Sequence, residues 1–310
     1  MQQIADLAGV SRGTVDRALN NRGRIRPEVA EKIKMIAKEL GYQPNIAAKA
    51  LSSGNQILRI GVILQYADTP TIQTVLEGAK DAKQEVERFG GRVMIDQIKG
   101  GDVRQVLDIM RGYKEAGMKG IVLMPSNDEM LKNTINRYVD DGIEIITINS
   151  DLEDTKRRCF VGQDNYAGGC VAGGLMGEII PDGGKVMIIS GSADNTATVK
   201  RTKGFIAELS YHYPSIKILE PRFAYDDNWV AGKLLEEQLE ITLDLKGIYM
   251  PAQGEIGVCK ILKKYELEKK IKLIVHDYEG ENKKNLKEGV INFVLRQDAY
   301  AQGYESVMEI

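Results

Sequence analysis

The sequence predicts an α + α/β chain, with a small all-helical head followed by a large body of parallel sheets covered by helices. Three observations carry this. Ile4–Asn20 (IADLAGVSRGTVDRALN) holds two short helical patterns separated by Gly9. From Leu58 onward, short apolar runs alternate with helical periods. The charge also changes sign along the chain. Residues 1–50 hold nine basic side chains (Arg12, Arg17, Arg22, Arg24, Arg26, Lys32, Lys34, Lys38, Lys49) against five acidic ones (Asp6, Asp16, Glu28, Glu31, Glu39), a balance of +4. The whole chain carries -2, so the remainder carries -6. A basic head suits contact with phosphates, and an acidic body does not.

At 310 residues the chain is too long for one small domain, and two or three are expected. Its 43% hydrophobic and 28% charged residues are ordinary for a globular protein with a sizeable core. Cys159, Cys170 and Cys259 are odd in number and have neither paired nor metal-like spacing, which fits reduced, buried thiols. No signal-peptide pattern precedes the first helix and no apolar run is long enough to span a bilayer, so a cytoplasmic location without a membrane partner is expected.

In the head, Ile4, Leu7 and Ala8 fall at helical spacing, Gly9 breaks the helix, and Val10 is apolar enough to be buried. Ser11 is a good N-cap for a second helix, on which Val15, Ala18 and Leu19 form an inward face. Arg12, Gly13, Asp16 and Arg17 point the other way. This is the pattern of a helix-turn-helix whose second helix reads DNA. Arg12 and Gly13 lie in its first turn, where base edges are read, and Arg17 sits one turn beyond Gly13. Arginine pairs bidentately with guanine, while glycine lets the backbone approach closely. Ser11, Thr14 and Asn20 suit phosphate contacts that position without specifying. A third helix starts at Pro27 and ends before Gly41. Its apolar stripe (Val29, Ile33, Ile36, Ala37, Leu40) closes a three-helix core.

Taken in order, IADLAGVS, the run Thr14–Asn20, the helix Pro27–Leu40, GYQPN (Gly41–Asn45) and AAKAL (Ala47–Leu51) resemble the lactose-repressor (LacI) family of bacterial transcription regulators. The resemblance implies that Arg12, Gly13 and Arg17 occupy base-reading positions, and Asn45 is counted with the DNA-binding residues. Asp16 departs from the family's usual serine. Four residues from Arg12, it is placed to orient that side chain or to accept from a cytosine amino group. The linker that follows is helix-compatible but too short to hold alone in water. The resemblance makes it a hinge helix that folds on DNA, with Leu51 wedged into the minor groove.

The body's apolar runs are residues 58–64, 92–98, 119–124, 143–149, 185–190, 246–250, 271–277 and 290–298, with helices such as Thr71–Phe89, Val103–Ala116 and Trp229–Leu239 between them. This repetition means parallel, doubly covered sheets. It resembles the periplasmic sugar-binding proteins, which implies a two-lobed α/β sensor with a ligand cleft between the lobes. The implied organisation is a head over 1–44, a hinge over 45–56 and a sensor over 57–310, with lobe 1 about 58–160 and 298–310 and lobe 2 about 161–297. Crossovers are expected near Asn149–Val161, His276–Asp277 and Gln297–Asp298. The family pattern runs on past Ile310 to a final strand and tail, so the sequence reads either as a fragment of a gene product or as a shortened version whose first lobe lacks its closing pieces.

Ligands of such sheets bind at the carboxyl ends of strands. The candidates there are Gln65, Tyr66, Asp68, Thr69 and Thr71; Ser126 and Asn127; Asn149, Ser150 and Asp151; Asp194 and Arg201; Asp226, Asp227 and Trp229; Gln253; Asp277; and Gln297. Carboxylates and amides bind vicinal hydroxyls in pairs, and a ring covers the apolar face of a sugar. Each of these residue types also caps helices, so ligand contact and capping stay open at every position. Ser150, Asp151 and Asp277 also match family positions. Two departures stand out: Gln253 replaces a usual Asn-Asp, and Thr71 and Ile72 stand where the family has aromatics.

Little points to catalysis. His212 and His276 are the only histidines, and HExxH, GxSxG, CxxC and Walker patterns are absent. The run Gly168, Gly169, Gly173, Gly174, Gly177 lacks nucleotide-binding spacing and fits a helix lying close on a sheet. No enzyme, cofactor or metal is expected. The expectation is a homodimeric, allosteric regulator that binds double-stranded operator DNA, a repressor released by a sugar or sugar-like effector. The alternative is a solute-binding protein of a sugar transport system, which would need an export signal and no basic head.

Overall fold

The computed structural model describes residues 2–19, 25–39, 57–278 and 280–310. Asn20, Asn45, Leu51 and the rest of the expected hinge lie outside the described residues. The chain divides into two units, residues 1–56 and residues 57–310.

In the head, α1 (Gln2–Ala8), α2 (Arg12–Leu19) and α3 (Pro27–Glu39) pack around Ile4, Ala5, Ala8, Val15, Ala18, Ile33 and Ala37. Gly9 has φ +71, a left-handed turn that glycine adopts without penalty. It lets the Val10 N–H reach back to Ala5 O at 3.0 Å. The Ser11 hydroxyl accepts from the Thr14 N–H at 3.2 Å and so caps α2. Lys32 donates to Ala8 O at 3.3 Å, tying α3 to the last turn of α1. One expectation is corrected: Leu7 is exposed, and Ala5 fills the inward position instead, because the face toward α3 runs through Ile4, Ala5 and Ala8.

The body runs β1 (Arg59–Leu64), α4 (Pro70–Arg88), β2 (Arg92–Gln97), α5 (Val103–Glu115), β3 (Gly120–Leu123), α6 (Glu129–Asp140), β4 (Glu144–Ile148), β5 (Cys159–Val161) and α7 (Asn165–Ile179). It continues β6 (Gly184–Ser190), α8 (Thr196–His212), β7 (Ile216–Ile218), β8 (Arg222–Phe223), α9 (Asn228–Ile241), β9 (Leu245–Met250) and α10 (Glu255–Lys264). Then come β10 (Lys272–His276), α11 (Gly280–Lys287), β11 (Phe293–Leu295) and α12 (Ala299–Met308). The strands form two parallel sheets, one per lobe. The first has order β2-β1-β3-β4-β5; the second has order β11-β10-β9-β6-β7, with β8 pairing β6.

Both sheets are covered on both faces, as near-continuous apolar strands require. In the first, Ile60, Val62 and Leu64 pack under α4 and α12, while Ile63, Ile121 and Leu123 pack under α5 and α6. In the second, Met187, Ile189 and Ile248 face α9 and α10, while Val186, Ile188 and Tyr249 face α7 and α8. Three expectations are corrected. The chain does not change sheets at His276–Asp277, because β10 and β11 are hydrogen-bonded neighbours. Strand β5 extends the first sheet through Val161, which pairs with Ile148. Gly169 and Gly173 of α7 lie against a helix rather than a sheet: a Cβ at Gly169 would stand 2.0 Å from Arg201 O on α8, and one at Gly173 3.0 Å from Phe205 O.

The last helix, α12, returns from the second sheet to the first lobe. There it crosses α4 so closely that a Cβ at Gly78 would stand 2.1 Å from Tyr300 O, and one at Gly303 1.9 Å from Val75 O.

Candidate functional site

The carboxyl ends of the strands of both sheets meet at a cleft of about 500 Å³, its open mouth included. Of the residues expected there from sequence, Tyr66, Thr69, Thr71, Asn149, Arg201, Asp226, Gln253, Asp277 and Gln297 line it. Four of them, Tyr66, Asn149, Asp226 and Asp277, have φ between 53 and 66, the left-handed region that side chains other than glycine rarely enter. Each follows a strand: β1, β4, β8 and β10. Such backbone costs on the order of 1–3 kcal/mol per residue and persists where the surroundings over-determine it, characteristically at ligand sites. Here it swings each side chain out of the strand direction and into the cleft.

Hydrogen bonds then fix the polar groups. Gln253 N–H donates to Asp226 Oδ1 at 3.1 Å. Gln297 donates from Nε2 to Asp277 Oδ1 at 2.9 Å, and its Oε1 accepts from Gln302 Nε2 of α12 at 2.9 Å. Arg201 is buried, donating from Nε to Asn165 Oδ1 at 2.8 Å and from a terminal nitrogen to Pro251 O at 3.0 Å. Burial pushes the Asp226 carboxyl above its ordinary range; the Gln253 N–H opposes this and Asp194 adds to it. Burial, then Asp194 and Asp226, push the Tyr66 phenol up. Below the cleft, His276 is buried and meets the Tyr249 hydroxyl at 2.9 Å. Its burial, and then the Arg201 charge, hold it well below the ordinary imidazole value.

The other expected residues lie outside the cleft, each with a protein partner. Gln65 is buried and joins β1 to its neighbours, donating to Met124 O at 2.7 Å and Ser126 Oγ at 3.4 Å and accepting from Asp102 N–H at 3.0 Å. Asp68 is on the surface, 3.9 Å from Lys99. Ser150 turns inward and donates to Pro125 O at 2.6 Å. Asp151 is held by Thr147 at 2.7 Å and by the Arg157 guanidinium. Burial works against its charge, but those hydrogen bonds outweigh it and keep its carboxyl below the ordinary range. Asp151 and Asn127 line a neighbouring groove with Lys132 and Lys200. Asp194 accepts from Ser192, and Asp227 caps α9 through the Val230 N–H at 2.8 Å. Trp229 is on the outer surface under Lys233.

Sequence reasoning missed Asn195, Thr198, Pro251 and Ala252, which also line the cleft. Asn195 was legible as the N-cap of α8; its side chain accepts from Ala197 and Thr198 N–H at 3.0 and 3.3 Å.

On the head, Ser11, Arg12, Gly13 and Arg17 are exposed along α2, and Thr14 is half-buried. Arg17 Nε donates to Gly13 O at 3.1 Å. Asp16 belongs to α2 by its backbone.

Two family models match. The periplasmic binding protein domain covers residues 60–310, and the bacterial regulatory proteins of the lacI family cover residues 1–45. Among curated proteins, the ribose operon repressor of Lactococcus lactis is 27% identical over 67% of this chain and 59% of its own length. The sucrose operon repressor of Staphylococcus xylosus is 26% identical over 73% of this chain and 67% of its own length. The chain thus spans about three fifths to two thirds of these relatives. Among solved structures, the glucose-galactose binding protein GanP of Geobacillus stearothermophilus superposes with a TM-score of 0.76 at 24% identity, over 82% of this chain and 90% of that one. This is a likeness of fold. The chain belongs to the periplasmic binding protein domain family through its body and carries the head of the lacI family of bacterial regulatory proteins.

Proposed function

We propose that this protein is a ligand-responsive, sequence-specific DNA-binding regulator, a repressor released when a sugar or sugar-like effector occupies the cleft between its lobes. One observation carries the reading: a single chain joins a helix-turn-helix with exposed Arg12 and Arg17 to a two-lobed cleft lined by carboxylates and amides. The repressor names of its relatives support the direction of regulation. A solute-binding role accounts for the body but leaves the basic head without a task.

In this reading the protein acts in the cytoplasm as a homodimer. Two copies of α2 enter adjacent major grooves of a pseudo-palindromic operator. Effector and DNA prefer different lobe arrangements, so the coupling is reciprocal. The test is selection of operator DNA from a random duplex pool by the full chain, followed by a gel-shift titration with monosaccharides. A recovered palindrome released by one sugar supports the reading. Equal binding of random duplexes, or sugar binding that leaves the DNA complex unchanged, overturns it. Asp277→Ala is expected to abolish the sugar response while sparing DNA binding.

A further inference from the structure

We infer that the cleft selects an uncharged polyhydroxylated ring and rejects the carboxylated or phosphorylated form of the same ring. This rests on the effector reading above and narrows it to a ligand class.

The anionic side is held in place by the protein. Asp226 and Asp277 both line the cleft, each turned into it by left-handed backbone and anchored by Gln253 and Gln297. Asp194 stands close enough to act on Asp226 and on Tyr66. Glu255, buried at the start of α10, feels both Asp277 and Asp226.

The cationic side is smaller. Arg201 is the one cation among the described lining residues, against Asp226 and Asp277, and part of its guanidinium is taken up by Asn165 Oδ1 and Pro251 O. At the N-terminus of α8, a ready kind of anion site, Asn195 already accepts from the Ala197 and Thr198 N–H groups.

An independent observation points to a hydroxylated ligand. Thr71 lines the cleft with 4% of its surface exposed, and its Oγ1 has no hydrogen-bond partner. A buried hydroxyl is ordinarily paired, and this one can donate to or accept from a ring hydroxyl. Ring hydroxyls also donate to carboxylates. A phosphate or carboxylate at neutral pH brings oxygens that cannot donate and a charge of the same sign as Asp226 and Asp277.

The experiment is isothermal titration of the full chain with matched sets: D-galactose, D-galacturonate and D-galactose 6-phosphate; the glucose equivalents; and D-ribose with D-ribose 5-phosphate. At least one neutral sugar is expected to bind, with its anionic counterparts at least about a hundredfold weaker, the scale of a like-charge contact in a binding site. Thr71→Val is expected to weaken the neutral sugar by about tenfold while Thr71→Ser retains it, the difference being one hydrogen bond. Asp277→Asn is expected to narrow the neutral-to-anionic ratio, which a merely structural role would leave alone. An anionic member that binds as tightly as its neutral partner overturns the inference while the effector reading stands. If no member of any set binds, the effector reading falls and the inference falls with it.

Discussion

Arg201 Nε donates to Asn165 Oδ1 at 2.8 Å, so one buried side chain of α8 holds the first turn of α7 and, through Pro251 O, the end of β9. The second lobe's rim of the cleft is thereby fixed from within. Arg201→Met keeps much of the side-chain volume but leaves two buried acceptors unpaired. The expected loss is roughly 2–4 kcal/mol of stability, read as a lowered urea midpoint.

The same α7–α8 pair tests the glycine contacts. Gly169→Ala places a methyl 2.0 Å from Arg201 O, where only backbone displacement makes room. Gly174 is further along the same helix and on another face, and a Cβ there meets Glu208 Oε1, at 3.8 Å. Alanine gains about 1 kcal/mol over glycine in a helix interior, so Gly174→Ala is expected to raise the melting temperature. Gly169→Ala is expected to lower stability by about 1–3 kcal/mol, as overpacking does. Thermal unfolding of the two variants, one up and one down, checks the assignment.

Glu255 gives a pH dependence of known sign. Burial, opposed by the Asn282 amide at 2.8 Å and reinforced by Asp277 and Asp226, raises its carboxyl above the ordinary 4.5. The folded chain therefore holds this proton more tightly than the unfolded one. The associated stability is fully present below 4.5 and is lost as pH rises through the folded value. Glu255→Gln keeps an acceptor for Asn282 and removes the charge. The variant's stability advantage is expected to grow between pH 4.5 and 7, and denaturation curves across that range measure it. A gap independent of pH would show that burial of the charge is not the cause.

The lobes and most of the cleft were legible because their signals are local. Runs such as Ile60–Leu64 and Ile121–Leu123 are apolar throughout, as strands covered on both faces tend to be, and polar residues follow such runs at the strand ends. Strands β5, β7 and β8 carry no such signal, with two or three residues each and mostly half-buried or exposed. Around the cleft several of the errors are of one or two residues. Asn149 lines it, whereas Ser150 and Asp151 turn back to Pro125 and Arg157. Asn195 lines it and Asp194 does not. At Asn149 the choice depends on where the backbone enters the left-handed region, and at Asn195 on where α8 begins; both follow from the packing around them rather than from the side chains themselves. The glycine run showed its close packing but not its partner, since α8 follows it by sequence yet meets it only in the folded lobe.

Arg17 gives the test of the head. It is exposed, and its Nε donates to Gly13 O at 3.1 Å. The core of the head is built from Val15, Ala18 and their neighbours on the other face. Arg17→Ala should therefore leave the helical content and melting of the chain unchanged. If Arg17 reads a base, specific affinity falls by roughly 1–3 kcal/mol per half-site and preference relaxes at one base pair. Binding curves on the selected operator and on a random duplex separate the alternatives. An equal loss on both DNAs makes Arg17 a phosphate contact, because the backbone charge it would neutralise is the same on every sequence.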